Sequence, residues 1–448
     1  VPAVEEIGIQ PVPRALRTGT WRDLSLITFA FGINPVYYVL GAIAVVEFRL
    51  PLWWAVALAV LAQAISYGIL VAVSRVGTEH GIAGLVSFRA FLGMWGARGI
   101  SSPYRLIAAL YWFATQAITA SFALRALFDA LWGFELPIVP VAVGLAAVQA
   151  VLAVAGFDIL RYATRIVLPL AAGFVVVMLV LYVTSDDPRY EVGRVFDSPD
   201  QTLTWAGAAG YLTLMIGSQL TFLPSAADFT RYTRSTRDVQ IGMLGSAIVT
   251  MVVTTFVGGY AGAAAGSTKS PFEALPSLTA SDVLLVFGVL VLVVQSLVVN
   301  IGNAYNLGLA LANAVPRLGR VGATAVAAAM GVALAGVPDF LTSASDWITH
   351  LGSVAAPLAG VVLADYLVIK RRQIDVDALF TASGPYRYVG GVNVAALVAI
   401  AFGVVVYVLV PDELLKVAWG GGVSFVAYLA LRPLQARRLS GAAPASRG

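Results

Sequence analysis

The sequence predicts an all-α polytopic membrane protein with 12 transmembrane helices, and three observations carry that prediction. Of 448 residues, 59% are hydrophobic and only 12% charged, where a soluble domain carries about 25% charged. The apolar residues gather in runs that match the roughly 20 residues a helix needs to cross a bilayer. The connections between runs are short, and even the longest, 75–103, 185–203 and 370–388, hold no separate soluble domain. Zero cysteines exclude a disulfide scaffold and thiolate chemistry. His80 and His350 lie too far apart in the chain to suggest a histidine-rich metal centre. The net charge of +4 is dispersed between apolar runs, so membrane lipid is an expected partner and nucleic acid is not.

In chain order the spans fall at 24–46, 52–74, 104–128, 138–157, 163–184, 204–223, 239–265, 281–312, 320–337, 343–369, 389–411 and 414–431. Water cannot satisfy a peptide backbone inside hydrocarbon, so each run is read as helix. The sequence begins at Val1 and shows no signal-peptide pattern, so the first run is expected to be a retained span.

Arg and Lys set the expected orientation, because short cytoplasmic loops are enriched in them. With the N-terminus inside, one side gathers Arg14, Arg17 and Arg22, then Arg75, Arg89, Arg98 and Arg105, then Arg161 and Arg165. The same side continues with Arg231, Arg234, Arg237, Arg317, Arg320, Lys370, Arg371, Arg372 and Arg387, and with Arg432, Arg437, Arg438 and Arg447 of the tail. The other side holds Arg49, Arg189, Arg194, Lys269 and Lys416. Both termini are therefore expected to be cytoplasmic, in a plasma membrane if the source is bacterial.

Two spans are interrupted. In the first, Gly32-Ile33-Asn34-Pro35 combines a residue that loosens the turn with one that lacks an amide hydrogen and disfavours helix at Asn34. Carbonyls from Ala30 to Ile33 would lose their helical partners there and become available to a cation or a substrate. In the sixth, Gly217-Ser218 is a plausible break, with Pro224 following. Either break alone also fits an ordinary kink. Together, in spans one and six of twelve, they point to two five-helix repeats of opposite topology, the architecture in which discontinuous helices frame a midplane site. The expected organisation is a cytoplasmic segment 1–23, a first repeat 24–185, a second repeat 204–369, peripheral helices over 389–431 and a basic tail 432–448.

Polar residues at membrane depth come next. Trp112 and Gln116 are four apart on one face of the third span. An indole plane beside a carboxamide suits a flat heterocycle, stacking on one and hydrogen bonding to the other. Asn300 and Asn303 in the eighth span would face them from the equivalent helix, although buried amides also serve simply to join helices. His350 reads as a structural histidine or a proton carrier. Asp228 beside Arg231, Asp365 beside Lys370, and Asp158 with Arg161 and Arg165 read as ion pairs at the membrane surface. No phosphate-binding loop, zinc pair or Ser/His/Asp arrangement is visible, so an enzyme is not expected. A secondary transporter is, with a substrate-gated channel or a non-transporting receptor as alternatives of another class.

These residues resemble the nucleobase–cation symporter-1 family of purine, cytosine and hydantoin permeases, over about 20–410. The likeness is carried by Trp21-Arg22-Asp23, Gly32-Ile33-Asn34-Pro35, the stretch 81–98, the stretch 227–234 (ADFTRYTR), Asn303 to Leu311, and Pro357 to Arg372. It implies the inverted-repeat fold of sodium-coupled amine and amino-acid transporters, and cation-coupled import of a small planar heterocycle by alternating access. Cytosine or a purine is the first expectation, and a hydantoin, allantoin or a vitamin precursor the second. Its substrate residues fall on Trp112, Gln116 and Asn303, with Asn300 one turn earlier and Gly32 at the break. Its sixth-span aromatic falls on Gln219, a departure that leaves Phe222 to supply a second stacking face. Its sodium carbonyls fall on Ala30 and Ile33, but its hydroxyl pair falls on Leu297 and Val298, with Ser296 the nearest hydroxyl. Sodium and the proton both stay open as coupling ion, with His350 or Asp346 as carriers for the latter. No other cofactor is implied, and the oligomeric state is open, a monomer included.

Overall fold

The computed structural model describes residues 10–154, 157–381 and 384–441, with side chains excepted over 154–164 and 436–441. Among them, nine helices are long and apolar enough to cross a membrane, and a bent pair, Trp21–Gly32 with Pro35–Val46, makes a tenth. Two shorter apolar helices, Ile138–Ala153 and Val394–Leu409, complete the expected set. The spans are α1 (halves α1a, Trp21–Gly32, and α1b, Pro35–Val46), α2 (Leu52–His80), α3 (Ser102–Trp132), α4 (Ile138–Val154), α5 (Phe157–Thr184) and α6 (Trp205–Leu220). They continue with α7 (Ser246–Ala265), α8 (Asp282–Ala314), α9 (Gly319–Leu334), α10 (Ala344–Leu363), α11 (Val394–Leu409) and α12 (Lys416–Gly441). Their ends follow sequence chemistry: α2 and α3 stop at left-handed glycines, Gly81 (φ 73°) and Gly133 (φ 64°), a conformation open to glycine without a Cβ clash.

The packing repeats itself. α1b lies on α7 as α6 lies on α2, α4 meets α8 as α9 meets α3, and α1a meets α5 as α6 meets α10. α3 and α8 pack against each other. Each pairing maps onto its partner when the first five helices are exchanged for the second five, the signature of the inverted repeat. α12 packs on α10 and α11 at the edge of this body. Small residues let the backbones meet, as packing inside a membrane requires. A Cβ on Gly258 of α7 would sit 2.0 Å from the Tyr38 carbonyl oxygen of α1b.

Several expectations change. α6 is not broken at Gly217-Ser218: the helix runs through both to Leu220. Gly217 is small for a different reason, since a Cβ there would lie 3.2 Å from the Gly352 Cα of α10. The helix ends instead at Thr221-Phe222, before the short turn Leu223–Ser225 that contains Pro224. The connection after α2 carries a fully buried helix, Gly84–Leu92, and the one after α7 carries Pro271–Leu278 with a Ser270/Glu273 capping box. Asp365 does pair with Lys370, yet it is wholly buried, and so is Asp228, which accepts the Gly84 amide at 2.7 Å. Neither is a surface pair: Asp365 lies in the π-helical turn that continues α10 and accepts the Tyr428 hydroxyl of α12 at 2.7 Å, and Asp228, in the turns after α6, is covered by the start of the buried helix Gly84–Leu92. His350 is exposed at the start of α10, its Nδ1 2.6 Å from the Asp346 carbonyl. The pairing expected of Asp158 with Arg161, and Arg437, Arg438 and Arg447 of the tail, lie outside the described side chains.

Candidate substrate site

The break in α1 is where the site begins. Asn34 is extended (φ −144°, ψ 161°) and caps α1b, its Oδ1 accepting the amides of Val36 (3.0 Å) and Tyr37 (3.2 Å). Those amides would otherwise return to the carbonyls of Gly32 and Ile33. Pro35 has no amide to offer Phe31, and the Asn34 Nδ2 donates to that carbonyl instead. The halves diverge by 58°.

Beside this break, between α1a, α2, α3, α8 and the end of α6, lies a tight cavity of about 70 Å³. Gly32, Asn34 and Tyr37 line it from α1, Gln63 and Tyr67 from α2, Trp112 and Gln116 from α3, Phe222 and Ser225 from the α6 break, and Asn303 from α8. Leu24 and Ile27 near the start of α1, with Met243 leading into α7, extend it toward the end of the molecule where the chain enters α1. Of the residues expected from the sequence, Trp112, Gln116, Phe222, Asn303 and Gly32 share this one wall.

Trp112 anchors it. Its Nε1 donates to Thr221 Oγ1 at 3.0 Å, its ring lies 6.1 Å from Tyr37 at 51°, and it stacks on Phe222 at 6.1 Å and 23°. The position that departs from the family's aromatic is therefore backed by Phe222, three residues on. Gln219 stands behind the wall, exchanging hydrogen bonds of 3.2 and 3.3 Å with the Tyr37 hydroxyl. Asn300 is also outside the lining. Its Nδ2 donates to the Phe113 carbonyl (3.0 Å) and to Gln149 Oε1 (2.6 Å), which joins α8 to α3 and α4.

Two amide orientations can be fixed without seeing hydrogens. The Asn34 Oδ1 already accepts backbone amides, so the Gln116 atom 2.9 Å away must be its Nε2. Asn300 Nδ2 donates to a backbone carbonyl, so its Oδ1 is the acceptor for Asn303 Nδ2 at 3.1 Å. What remains are Gln116 Oε1 and Asn303 Oδ1, both buried and without a hydrogen-bond partner. Gln63 Oε1, on the α2 side of the same cavity, is likewise unpartnered. The cavity thus offers unused acceptors beside an indole face.

The expected sodium position is different in character. Ala30 packs in one apolar cluster with Val298 and Ile301, with Phe31 and Leu297 against it. Ser296 is committed elsewhere, its hydroxyl donating to the Val293 carbonyl (3.1 Å) and accepting from Gln149 Nε2 (3.2 Å). Ile33 retains a carbonyl freed by the break, but α8 brings no hydroxyl from positions 297 and 298 to meet it.

Sequence reasoning read Asn34 only as the residue before a proline; its cap and its hold on Gln116 were missed. An Asn followed by Pro at the first helical position is a helix-start signal that was available. Tyr37 and Thr221 carried no separate signal. Gln63, a carboxamide in the middle of an apolar helix, did.

A broken-helix inverted repeat around a mostly apolar cavity with a few converging carboxamides is the architecture of a secondary transporter of the membrane. A family model described as permease for cytosine/purines, uracil, thiamine and allantoin matches residues 11–430, and the chain belongs to that family. It is 25% identical to the allantoin permease of Bacillus subtilis, over 94% of this chain and 92% of that one. It is 25% identical to a purine-uracil permease of Arabidopsis thaliana, over 93% of this chain and 73% of the relative. Among solved structures, Mhp1, a nucleobase-cation-symport-1 family transporter in a closed conformation with bromovinylhydantoin bound, superposes with a TM-score of 0.80 at 20% identity, covering 97% of both chains. The expectation of a multi-pass permease with the five-plus-five fold thus stands, and the relatives are named as permeases rather than enzymes.

Proposed function

We propose that the protein imports a planar heterocycle rich in N–H donors, a cyclic urea or imide such as uracil, a hydantoin, allantoin or an oxidised purine. The carrying observation is the pair of orphan acceptors, Gln116 Oε1 and Asn303 Oδ1, in the wall that holds Trp112. A ligand bringing two N–H groups would pair both acceptors, each hydrogen bond worth about 0.5–1.5 kcal/mol net. Cytosine carries one ring N–H and an exocyclic amine where uracil and hydantoin carry two lactam N–H groups, so the expectations differ in where the donors sit on the ring rather than in how many there are. Purine-uracil and allantoin permeases among the relatives, and the hydantoin held by the neighbouring fold, support the same chemistry.

On this reading the ring stacks on Trp112, with Gly32 giving close backbone approach at the α1 break. With the basic side cytoplasmic, the cavity faces the cytoplasm, the releasing state of an importer. A cation drives accumulation, and sodium is the poorer candidate because Val298 and Leu297 occupy the places where α8 would supply hydroxyls. The test is uptake into proteoliposomes under imposed sodium or pH gradients, with uracil, hydantoin, allantoin and cytosine as substrates. Accumulation of an N–H-rich ring above equilibrium supports the proposal. Equilibration without accumulation would reject coupled import, and uptake of a fully N-methylated ring as readily as its parent would reject the acceptor argument.

A further inference from the structure

Arg105, on α3, is fully buried and belongs to none of the roles given so far. Its Nε donates to Ser225 Oγ at 2.8 Å, and its guanidinium lies over the Phe222 ring, 4.9 Å from the centroid. Both of those residues sit in the α6 break and line the cavity. Arg105 and Trp112 are seven residues apart, a rise of about 10.5 Å along α3. The 6.1 Å from Trp112 to Phe222 and the 4.9 Å from Phe222 to Arg105 together fill that interval. Phe222 is therefore the middle layer of a three-part stack.

The stack is too tight for its proposed use. A ring inserted between Trp112 and Phe222 needs two contact distances of about 3.5 Å, roughly 7 Å in all, against the 6.1 Å present. Phe222 has to move, and the side away from Trp112 is the side Arg105 occupies. Arg105 has somewhere to go. Its Nη1 and Nη2 have no hydrogen-bond partner, and neither does Asp228 Oδ2. The Asp228 carboxylate interacts electrostatically with Arg231 and, less strongly, with the Arg105 guanidinium, and Ser225 stands beside it and Arg105.

We propose that Arg105 is a positioning residue that backs Phe222 as seen here and exchanges that ring for the Asp228 carboxylate when a planar substrate enters. The exchange makes room for the substrate and pairs two donors and an acceptor that have no hydrogen-bond partner in this structure. Because Asp228 Oδ1 is held by the Gly84 amide, the new pair ties α3 and the α6 break to the buried helix Gly84–Leu92. Loading of the site is thereby coupled to packing at the cytoplasmic end. The inference rests on the substrate reading above, but its core can be tested without ligand.

The experiment is a double-mutant cycle on Tm in detergent, using Arg105→Gln, Asp228→Asn and both together, in the native protein and in a Phe222→Ala background. Removing the ring should release Arg105 to Asp228 with no substrate present. The expected result is a small non-additivity in the native background that grows by roughly 2–4 °C with Phe222→Ala. Adding uracil or hydantoin to the native background should produce the same non-additivity. Arg105→Lys, which keeps the charge without the planar face, should keep the pairing with Asp228, and Arg105→Met replaces Arg105→Gln if that variant does not accumulate. Equal coupling in both backgrounds would mean a permanent ion pair, and none in the Phe222→Ala background would mean no exchange; either overturns the inference. Coupling with Phe222→Ala but no response of the native protein to any of these rings would keep the exchange and reject the substrate reading.

Discussion

The breaks in α1 and α6 hold equivalent places in the two repeats, and they are built in opposite ways. At the α1 break one carboxamide, with both of its polar atoms engaged, takes over most of what helical amides would have done. Asn34 takes the Val36 and Tyr37 amides, holds Gln116, and donates to the Phe31 carbonyl. At the α6 break no such residue stands in. The helix stops at Leu220, two short turns follow at Leu223–Ser225 and Thr230–Tyr232, and the neighbouring Arg105 and Asp228 keep unmet groups. A fully satisfied polar network is rigid, whereas a partly satisfied one has alternatives close in energy. The repeat thus supplies a fixed edge from one half and, on the proposed function, a movable wall from the other.

The largest effect should come from breaking the fixed edge. Asn34→Ala removes the α1b cap, worth about 1 kcal/mol, and strands the Gln116 amide, worth about 1–3 kcal/mol. Tm without ligand should fall more than for any single change at the α6 break, and a drop smaller than that of Thr221→Val would undo the contrast. Next comes Trp112, which touches both breaks. Trp112→Ala should lower ligand affinity by about 1–3 kcal/mol, the worth of one stacked base, and remove measurable uptake while expression persists. Near-normal uptake would move the site elsewhere. Asn303→Ala should cost affinity at the lower end of the same range, because a substrate N–H loses its acceptor; unchanged affinity would reduce Asn303 to helix packing. The smallest effect is expected from Thr221→Val, about 1 kcal/mol, since one indole N–H loses a neutral partner and the shape is kept.

The same contrast explains what could be read from the sequence. The spans were legible because apolar length is a property of each segment alone, and the α1 break because Gly32 and Pro35 act on their own backbone. Gly217-Ser218 misled because glycine serves two purposes in a membrane helix, and here it serves contact with Gly352 rather than a break. Trp112, Gln116 and Asn303 were legible as polar or planar groups at membrane depth, and the family likeness placed them on facing helices. Which amide atoms are free was not legible, because it depends on bonds from Asn34 to Gln116 and from Phe113 to Asn300, across helices remote in sequence. Buried Arg105 and Asp228 looked like loop charges for a related reason: their burial comes from segments remote in sequence, the helix Gly84–Leu92 against Asp228 and the α6 break against Arg105.

The central claim is that Gln116 and Asn303 act as acceptors for two N–H groups of one flat ring. Its most direct test is the ligand-induced rise in Tm of the purified protein with hydantoin and uracil, each compared with its mono-N-methyl and di-N-methyl forms. A ligand at a hundred times its Kd adds about 2.7 kcal/mol to stability, so binding is visible without a transport assay. The account predicts a clear rise with the parent ring, a smaller one with either mono-methyl form and none with the dimethyl form. A dimethyl ring that stabilises the protein as well as its parent would contradict it.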